Sequence, residues 1–365
     1  MVKYQKNLTK KYDPSLTVCL IFLIFIGFCA IASATSSLSP VRYLSVQAVA
    51  AVIGIALLVI SMRFDYEYFG RLAVYIYGVS VALLVLVLFI GVGDEVGTRG
   101  WIRFGFIGIQ PSELIKIGFI ITFAKHITTV SDINKPSELL KLLLHAGIII
   151  GLILLQPDYG TAAVFVVIMF FMLVAAGLNI KYILGAVGAV AVIAPVMWFF
   201  VLKDFQKNRV FSFLNPESDP LGAGYHVSQA KIAIGSGKVL GNGLFKGIQT
   251  QLGYLPEKQT DFVFAVIGEE MGFWGTILVL TLLVCVILRC FNIAKNARDL
   301  NGKLLCVGVG AMLLFHTFEN IGMCIGLAPV TGIPLPFISY GGSNLITSFL
   351  AIALVMNVSF YSRRN

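Results

Sequence analysis

Long apolar runs, separated by short polar stretches, set the pattern of this chain. A membrane-spanning helix needs about 20 predominantly apolar residues. Ten runs approach or reach that length, at about residues 15–34, 44–62, 71–91, 111–125, 139–156, 159–178, 181–202, 263–289, 303–322 and 339–360. The pattern predicts an all-α polytopic membrane protein of ten transmembrane helices, a single integral membrane unit over residues 1–365. One connection breaks the rhythm. Residues 203–261 form a loop of about 59 residues, far beyond an ordinary connection. Its glycines, among them Gly222, Gly235, Gly241 and Gly253, suggest tight turns between short helices, and "YHVSQAKIAI" reads as an amphipathic helix lying on the bilayer surface.

Basic residues orient the bundle. With both termini on the cytoplasmic side, the inside segments hold 16 of the 27 lysines and arginines; the short outer loops hold only Arg42, Arg99 and Arg103. The 203–261 loop then lies outside, leading to Asp261. The first apolar run is long enough to span and shows no small-residue cleavage site, so no cleavable signal is expected.

Composition strengthens this picture. The chain has 365 residues, of which 58% are hydrophobic and only 12% charged, against about a quarter charged in a soluble domain. The six cysteines sit in or beside apolar runs with no CxxC spacing, and the four histidines show no HExxH spacing. No protein-built metal site is expected. "AIGSGKVLGNG" imitates a phosphate-binding loop but fails it: Ile232 stands where the first glycine belongs, and Val239 follows Lys238. Nucleotide binding is excluded, and no nucleic-acid partner is expected.

Folding the spans in order brings the unusual polar residues to the outer side. The loop after span 3 offers Trp101, Arg103, Gln110, Glu113 and Lys116; the turn after span 5 offers Gln156, Asp158 and Thr161; the long loop offers Arg209; span 8 opens at Asp261; and the approach to span 10 offers Thr331, Ser339, Tyr340, Ser343 and Asn344. Glu113 and Lys116 are three apart on one helix face and, at ~21–22 Å for Pro111–Lys125, below the lipid surface. They read either as a structural ion pair or as a site where Lys116 meets an anion in an outer cavity. Asp261 stands two turns above Glu269 and Glu270 and reads either as a helix cap or as a base. Cations that hold a phosphate, together with one carboxylate able to take a proton, suit glycosyl transfer from a lipid carrier.

Five ordered stretches carry a family resemblance: "TRGWIRFGFIGIQPSELIKI", "QPDYGTA", "NRVFSFLNPESDPLGAGYHVSQAKIAIGSGKVLGNG", "LPEKQTDFVFAVIGEEMGF" and "APVTGIPLPFISYGGSN". Over about residues 15–360 the chain resembles the SEDS family (shape, elongation, division and sporulation), and within it the RodA-type rod-shape-determining branch. The resemblance implies a peptidoglycan glycosyltransferase that polymerises lipid II into β-1,4 glycan strands at the outer face of the bacterial cytoplasmic membrane during elongation. It implies a class B penicillin-binding protein, a transpeptidase, as partner, beside other membrane proteins of the elongation complex. It makes Asp261 the catalytic residue. It maps a Trp-x-Arg element onto Trp101 and Arg103 and a span-4 pair onto Glu113 and Lys116; with Asp158, Arg209 and Ser343 from the outer polar cluster, these are expected to bind substrate or pyrophosphate. Gln259 stands where the family often has histidine, which argues against a histidine relay. Mg2+ at the pyrophosphate is left open. The competing readings are a flippase for the lipid-linked precursor and a non-enzymatic scaffold of the wall-synthesis complex.

Overall fold

The structure is a computed structural model that describes residues 13–93, 100–104, 107–200, 213 and 222–362. Arg209 and most of the 203–221 stretch lie outside the described residues.

The elements follow in chain order. Helices α1 (Pro14–Ala34), α2 (Pro40–Ser61), the short α3 (Tyr66–Arg71) and α4 (Ala73–Ile90) lead to a hairpin of β1 (Ile102–Phe104) and β2 (Ile107–Ile109). Next come α5 (Pro111–Thr129), α6 (Pro136–Leu154), α7 (Tyr159–Ala175) and α8 (Ile180–Phe200). The long loop carries α9 (Ala223–Ser236) and the one-turn α10 (Ile248–Gln251). The chain ends with α11 (Val263–Lys295), α12 (Leu300–Ile325) and α13 (Gly342–Ser362). Proline opens α1, α2, α5 and α6, where a missing N–H costs nothing. Asp13, Asp158 and Asp299 cap α1, α7 and α12 through their carboxylates.

Each of the ten expected spans falls on a helix. Seven helices (α1, α2, α4, α6, α11, α12 and α13) are long and apolar enough to cross a membrane. α5 carries Glu113, Lys116 and Lys125, α7 has 17 residues, and α8, of 21 residues, carries Pro195 in its interior. α12 and α13 form the centre: 78% and 72% of their apolar windows are buried, against 22% for α4 and 28% for α2, which turn their apolar sides outward. α13 packs along α2, and α12 packs against α11 and α7.

Three features depart from the sequence pattern. The first is the hairpin, in which Ile102 pairs with Ile109 and Phe104 with Ile107. Gly108 lies against the Trp101 ring; a Cβ there would stand 3.1 Å from it. The second concerns histidine. His126 and His145 are distant in sequence, yet α5 and α6 bring their Nδ1 atoms to 3.0 Å. The third is a break in α11. Gly272 has φ 66° and ψ −160°, a conformation essentially reserved for glycine.

The break in α11 is filled by the glycine-rich loop. In a continuous helix, Phe273 N–H and Trp274 N–H would donate to the carbonyls of Glu269 and Glu270. Here they donate to Lys238 and Val239 at 2.9 and 3.4 Å, while Asn242 N–H and Gly243 N–H donate to Glu269 and Glu270 at 3.0 Å each. Gly237 and Gly241 permit the approach: a Cβ on either would fall 1.9 and 2.2 Å from the carbonyl oxygens of Gly268 and Glu270. The glycines that imitate a phosphate loop thus serve backbone-to-backbone packing.

α9 is amphipathic as expected, but its buried face is protein-facing. Val227, Ala230 and Ala233 are buried, and the helix packs on α11 and α12.

Candidate active site

Asp261 sits in the turn that feeds α11. The N-cap position of that helix is Phe262, with no side-chain cap, so Asp261 is not the helix cap. It is half-buried. Its backbone carbonyl accepts a hydrogen bond from Asn320 Nδ2 on α12 at 2.9 Å. The same amide group donates to the carbonyl of Ile333 at 2.9 Å. One side chain therefore ties the Asp261 turn to the segment 328–341 that runs back towards α13. That segment is fastened again by Ser339 Oγ donating to Thr260 O at 2.6 Å, and by Tyr340 N–H donating to Gln259 O at 2.8 Å. Gly332 lies against the catalytic candidate itself; a Cβ there would stand 3.4 Å from Asp261 Oδ2.

The same strap reaches the other polar residues. Gly160, at the start of α7, abuts Thr331, where an added Cβ would meet the Thr331 carbonyl at 3.0 Å. Asp158, beside it, caps α7 through Thr161 N–H at 3.0 Å and accepts from Gln110 Nε2 at 3.1 Å. Burial pushes the Asp158 carboxyl above its usual range, offset in part by the Thr161 bonds. Gln110 N–H donates to Ser343 Oγ at 3.3 Å, joining α5 to α13. Gly100 packs over Gln110, Gln156 and Asp158, and from there the chain enters Trp101 and Arg103. Trp101 is half-buried and Arg103 is exposed on the hairpin. Tyr43 meets Tyr340 edge-on at 4.9 Å, and Gln47, buried on α2, binds Ser339 O and Gly341 N–H.

Glu113 and Lys116 pair at 2.6 Å, but Lys116 does not face an open cavity: it is 1% exposed. Its ammonium also meets His316 Nε2 at 2.9 Å, and His316 Nδ1 stands 3.2 Å from the carbonyl of Pro334. Lys116 has only donors, so His316 Nε2 accepts and Nδ1 carries the proton to Pro334. The outward-facing alternative is thus corrected to a buried ion pair that grips the strap through a histidine. A seam of buried polar atoms without partners among the described residues follows these helices: Ser112 Oγ and Glu113 Oε2 on α5, Thr317 Oγ1 and Asn320 Oδ1 on α12, Asn344 Nδ2 and Thr347 Oγ1 on α13. Buried polar atoms are seldom left so in folded proteins.

Glu269 and Glu270 hold the long loop. Glu269 accepts from Gln249 N–H (2.7 Å), Thr250 N–H (3.0 Å) and Thr250 Oγ1 (2.7 Å), capping α10. Glu270 Oε1 accepts from Ser33 Oγ at 2.6 Å and from Gln251 Nε2 at 3.3 Å. Lys258 donates to Thr250 O at 2.5 Å beneath them. Burial pulls the Lys258 ammonium below its usual range, and the two glutamates counter it.

Sequence reasoning missed His316, Asn320 and Gln47. A signal existed for two of them: His316, Glu319 and Asn320 share a face of a span, and polar residues in spans usually have a task. Gln47 gave none. Among the described residues, no three His, Cys, Asp or Glu side chains converge where a metal ion would be held.

The chain as a whole has known relatives. A family profile described as "Cell cycle protein", covering FtsW, RodA and SpoVE, matches residues 14–364. The peptidoglycan glycosyltransferase MrdB of Escherichia coli K12 is 36% identical over 353 residues, covering 95% of this chain and 93% of the relative. A probable peptidoglycan glycosyltransferase FtsW of Trichlorobacter lovleyi is 36% identical over 358 residues, covering 96% and 93%. Among solved structures, a chain from a peptidoglycan synthase complex in which polymerisation and crosslinking are coordinated superposes with a TM-score of 0.84, at 30% identity over 97% of this chain and 99% of that one. The rod shape determining protein RodA of Thermus thermophilus superposes with a TM-score of 0.73, at 28% identity over 97% and 98%. With a profile match across nearly its whole length, this multi-pass membrane protein belongs to the FtsW/RodA/SpoVE family of cell cycle proteins.

Proposed function

We propose that the protein is a peptidoglycan glycosyltransferase that uses Asp261 as its general base. The observation that carries the reading is the mounting of Asp261. Its backbone is clamped by Asn320 and by the strap, while the residue neither caps α11 nor sinks into the bundle. A clamped, half-buried carboxylate at the end of a membrane helix suits proton transfer at the headgroup level. The names of the curated relatives and of the solved complex support the same activity.

The substrate is lipid II, a disaccharide-pentapeptide on undecaprenyl pyrophosphate. The sugar 4-hydroxyl of the acceptor attacks the anomeric carbon of the donor. The new C–O bond forms as the bond to the pyrophosphate oxygen breaks, and undecaprenyl pyrophosphate leaves with the bonding pair. Asp261 takes the hydroxyl proton, and single displacement converts the α-linked donor to a β-1,4 bond. Arg103, exposed on the hairpin, and Arg209 are the candidates to hold the pyrophosphate. Lys116, buried against Glu113 and His316, acts by holding the strap in register. A Mg2+ bound at the pyrophosphate would supply charge neutralisation to the leaving group.

The termini are assigned to the cytoplasm and Asp261 to the outer face, with ten crossings. The solved neighbour, a synthase complex that couples polymerisation to crosslinking, supports a class B penicillin-binding protein as partner.

The test is lipid II polymerisation by the purified protein with that partner, its transpeptidase blocked. A base contributes about 10²–10⁴-fold, so Asp261→Asn should lower the rate by at least that factor while the thermal melt is unchanged. Equal glycan from both forms removes Asp261 from the chemistry.

A further inference from the structure

The loop that fills the break in α11 is built inside out. Several of its small and polar positions face the protein: Gly237, Gly247 and Thr250 are buried, and Gln249, Thr250 and Gln251 donate to Glu269 and Glu270. Its large apolar side chains face away. Val239 is 55% exposed, Leu240 82%, Phe245 51%, Ile248 63% and Leu252 65%. A loop in water shows the reverse pattern, and a contiguous exposed apolar patch marks a membrane or protein contact.

What covers this patch is indicated by its place on α11. The loop backbone is bonded to Phe273 and Trp274 through Lys238 and Val239, and those two helix residues are themselves 53% and 62% exposed. They begin the outward face that continues through Ile277 and Leu278 down the span. The apolar loop surface is thus continuous with the lipid-facing side of a membrane helix. Lys238 and Lys246, both exposed, flank it with long cationic side chains suited to phosphate headgroups.

We infer that residues 238–252 form an interfacial wedge inserted into the lipid leaflet on the Asp261 side, with Lys238 and Lys246 on anionic headgroups. The wedge would anchor the hinge at Gly272 in the interface and so set the height of the Asp261 turn, nine helical residues away or roughly 14 Å along Val263–Met271. This inference does not depend on the assignment of Asp261 as base.

The experiment is lipid quenching. Leu240→Trp is reconstituted in vesicles of phosphatidylcholine and phosphatidylglycerol, with or without bromine on the acyl chains. Its emission is compared with that of the unaltered protein and of Asn242→Trp, a polar position in the same loop. The expected result is a blue-shifted added emission that bromine reduces by about two-fold or more, as for a side chain buried ~5–10 Å into the headgroup–acyl boundary. Phe245→Trp, a ring-for-ring exchange, gives the same reading should Leu240→Trp fold poorly. Lys238→Gln with Lys246→Gln should weaken the quenching in phosphatidylglycerol and leave it unchanged in pure phosphatidylcholine. Emission insensitive to bromine overturns the inference. So does emission that shifts only when the purified transpeptidase partner is added, which would make the patch a protein-docking surface.

Discussion

Gly272→Ala tests the reasoning about the broken helix most directly. Alanine has two options there. It can keep φ near 66°, which costs about 1–3 kcal/mol and still places Cβ 2.3 Å from Gly241 N, a backbone atom that cannot yield without moving the loop. Otherwise it straightens α11, regaining the two helical bonds from Phe273 and Trp274. All four bonds between loop and helix are then lost, a net loss of two at about 1 kcal/mol each. The lifted loop also withdraws the donors of Gln249 and Thr250 from Glu269, a buried carboxylate, at about 1–3 kcal/mol. Either way loop docking weakens by about 3–5 kcal/mol, or roughly 10²–10⁴-fold in its opening equilibrium. Hydrogen exchange of the Asn242 and Gly243 amides, whose bonds to Glu269 and Glu270 are lost in either case, reads this opening in detergent, and their exchange should accelerate by a similar factor. Gly235→Ala is the internal control. It lies in α9 with nothing within 4 Å of an added Cβ, so the same chemical change should be neutral or stabilising by ~0.5–1 kcal/mol. Unchanged exchange in Gly272→Ala, or equal effects in both variants, would refute the account of the break.

Three further outcomes are expected. Lys116→Met should destabilise the fold by about 3–5 kcal/mol by stranding Glu113, and adding Glu113→Gln should recover much of that in a thermal melt; additive losses would show that the pair is not coupled. Asn320→Leu leaves two carbonyls, of Asp261 and Ile333, without their donor, at about 1–3 kcal/mol each in the melt, and should lower the polymerisation rate by ~10-fold or more at a temperature where the variant stays folded; a full rate there would separate the clamp from catalysis. Asp13 gives a pH signature. Burial raises its carboxyl, but Ser15, Arg289 and the Leu16 N–H outweigh this and hold it below its usual range. Its stabilisation is therefore present above the unfolded carboxylate range and lost as pH falls through the folded value; melts from pH 6 downward should show that loss, and Asp13→Asn should flatten it, since an amide oxygen still caps α1 but no longer pairs with Arg289.

How much was legible beforehand differs between fold and site. Apolar run length is a local property, and lipid offers no competing partner for the backbone, so ten helices were readable to within a few residues. Pro14, Pro40, Pro111 and Pro136 marked helix starts for an equally local reason. The candidate residues Asp158, Ser343 and Asp261 were legible as polar exceptions beside apolar spans, but not the hydrogen bonds that join them.

By itself, then, the sequence determined an integral helical membrane protein, its polar end and the carboxylate before α11, because hydropathy and charge act residue by residue. Only the tertiary structure decided whether Lys116 meets substrate or Glu113 and His316, since burial depends on which helices close around it. Only it decided that the glycine-rich loop, already unfit for a phosphate loop in sequence, would dock into a break in α11. That outcome rests on four backbone hydrogen bonds between segments some 30 residues apart, and a pairing of that range has no local sequence signal.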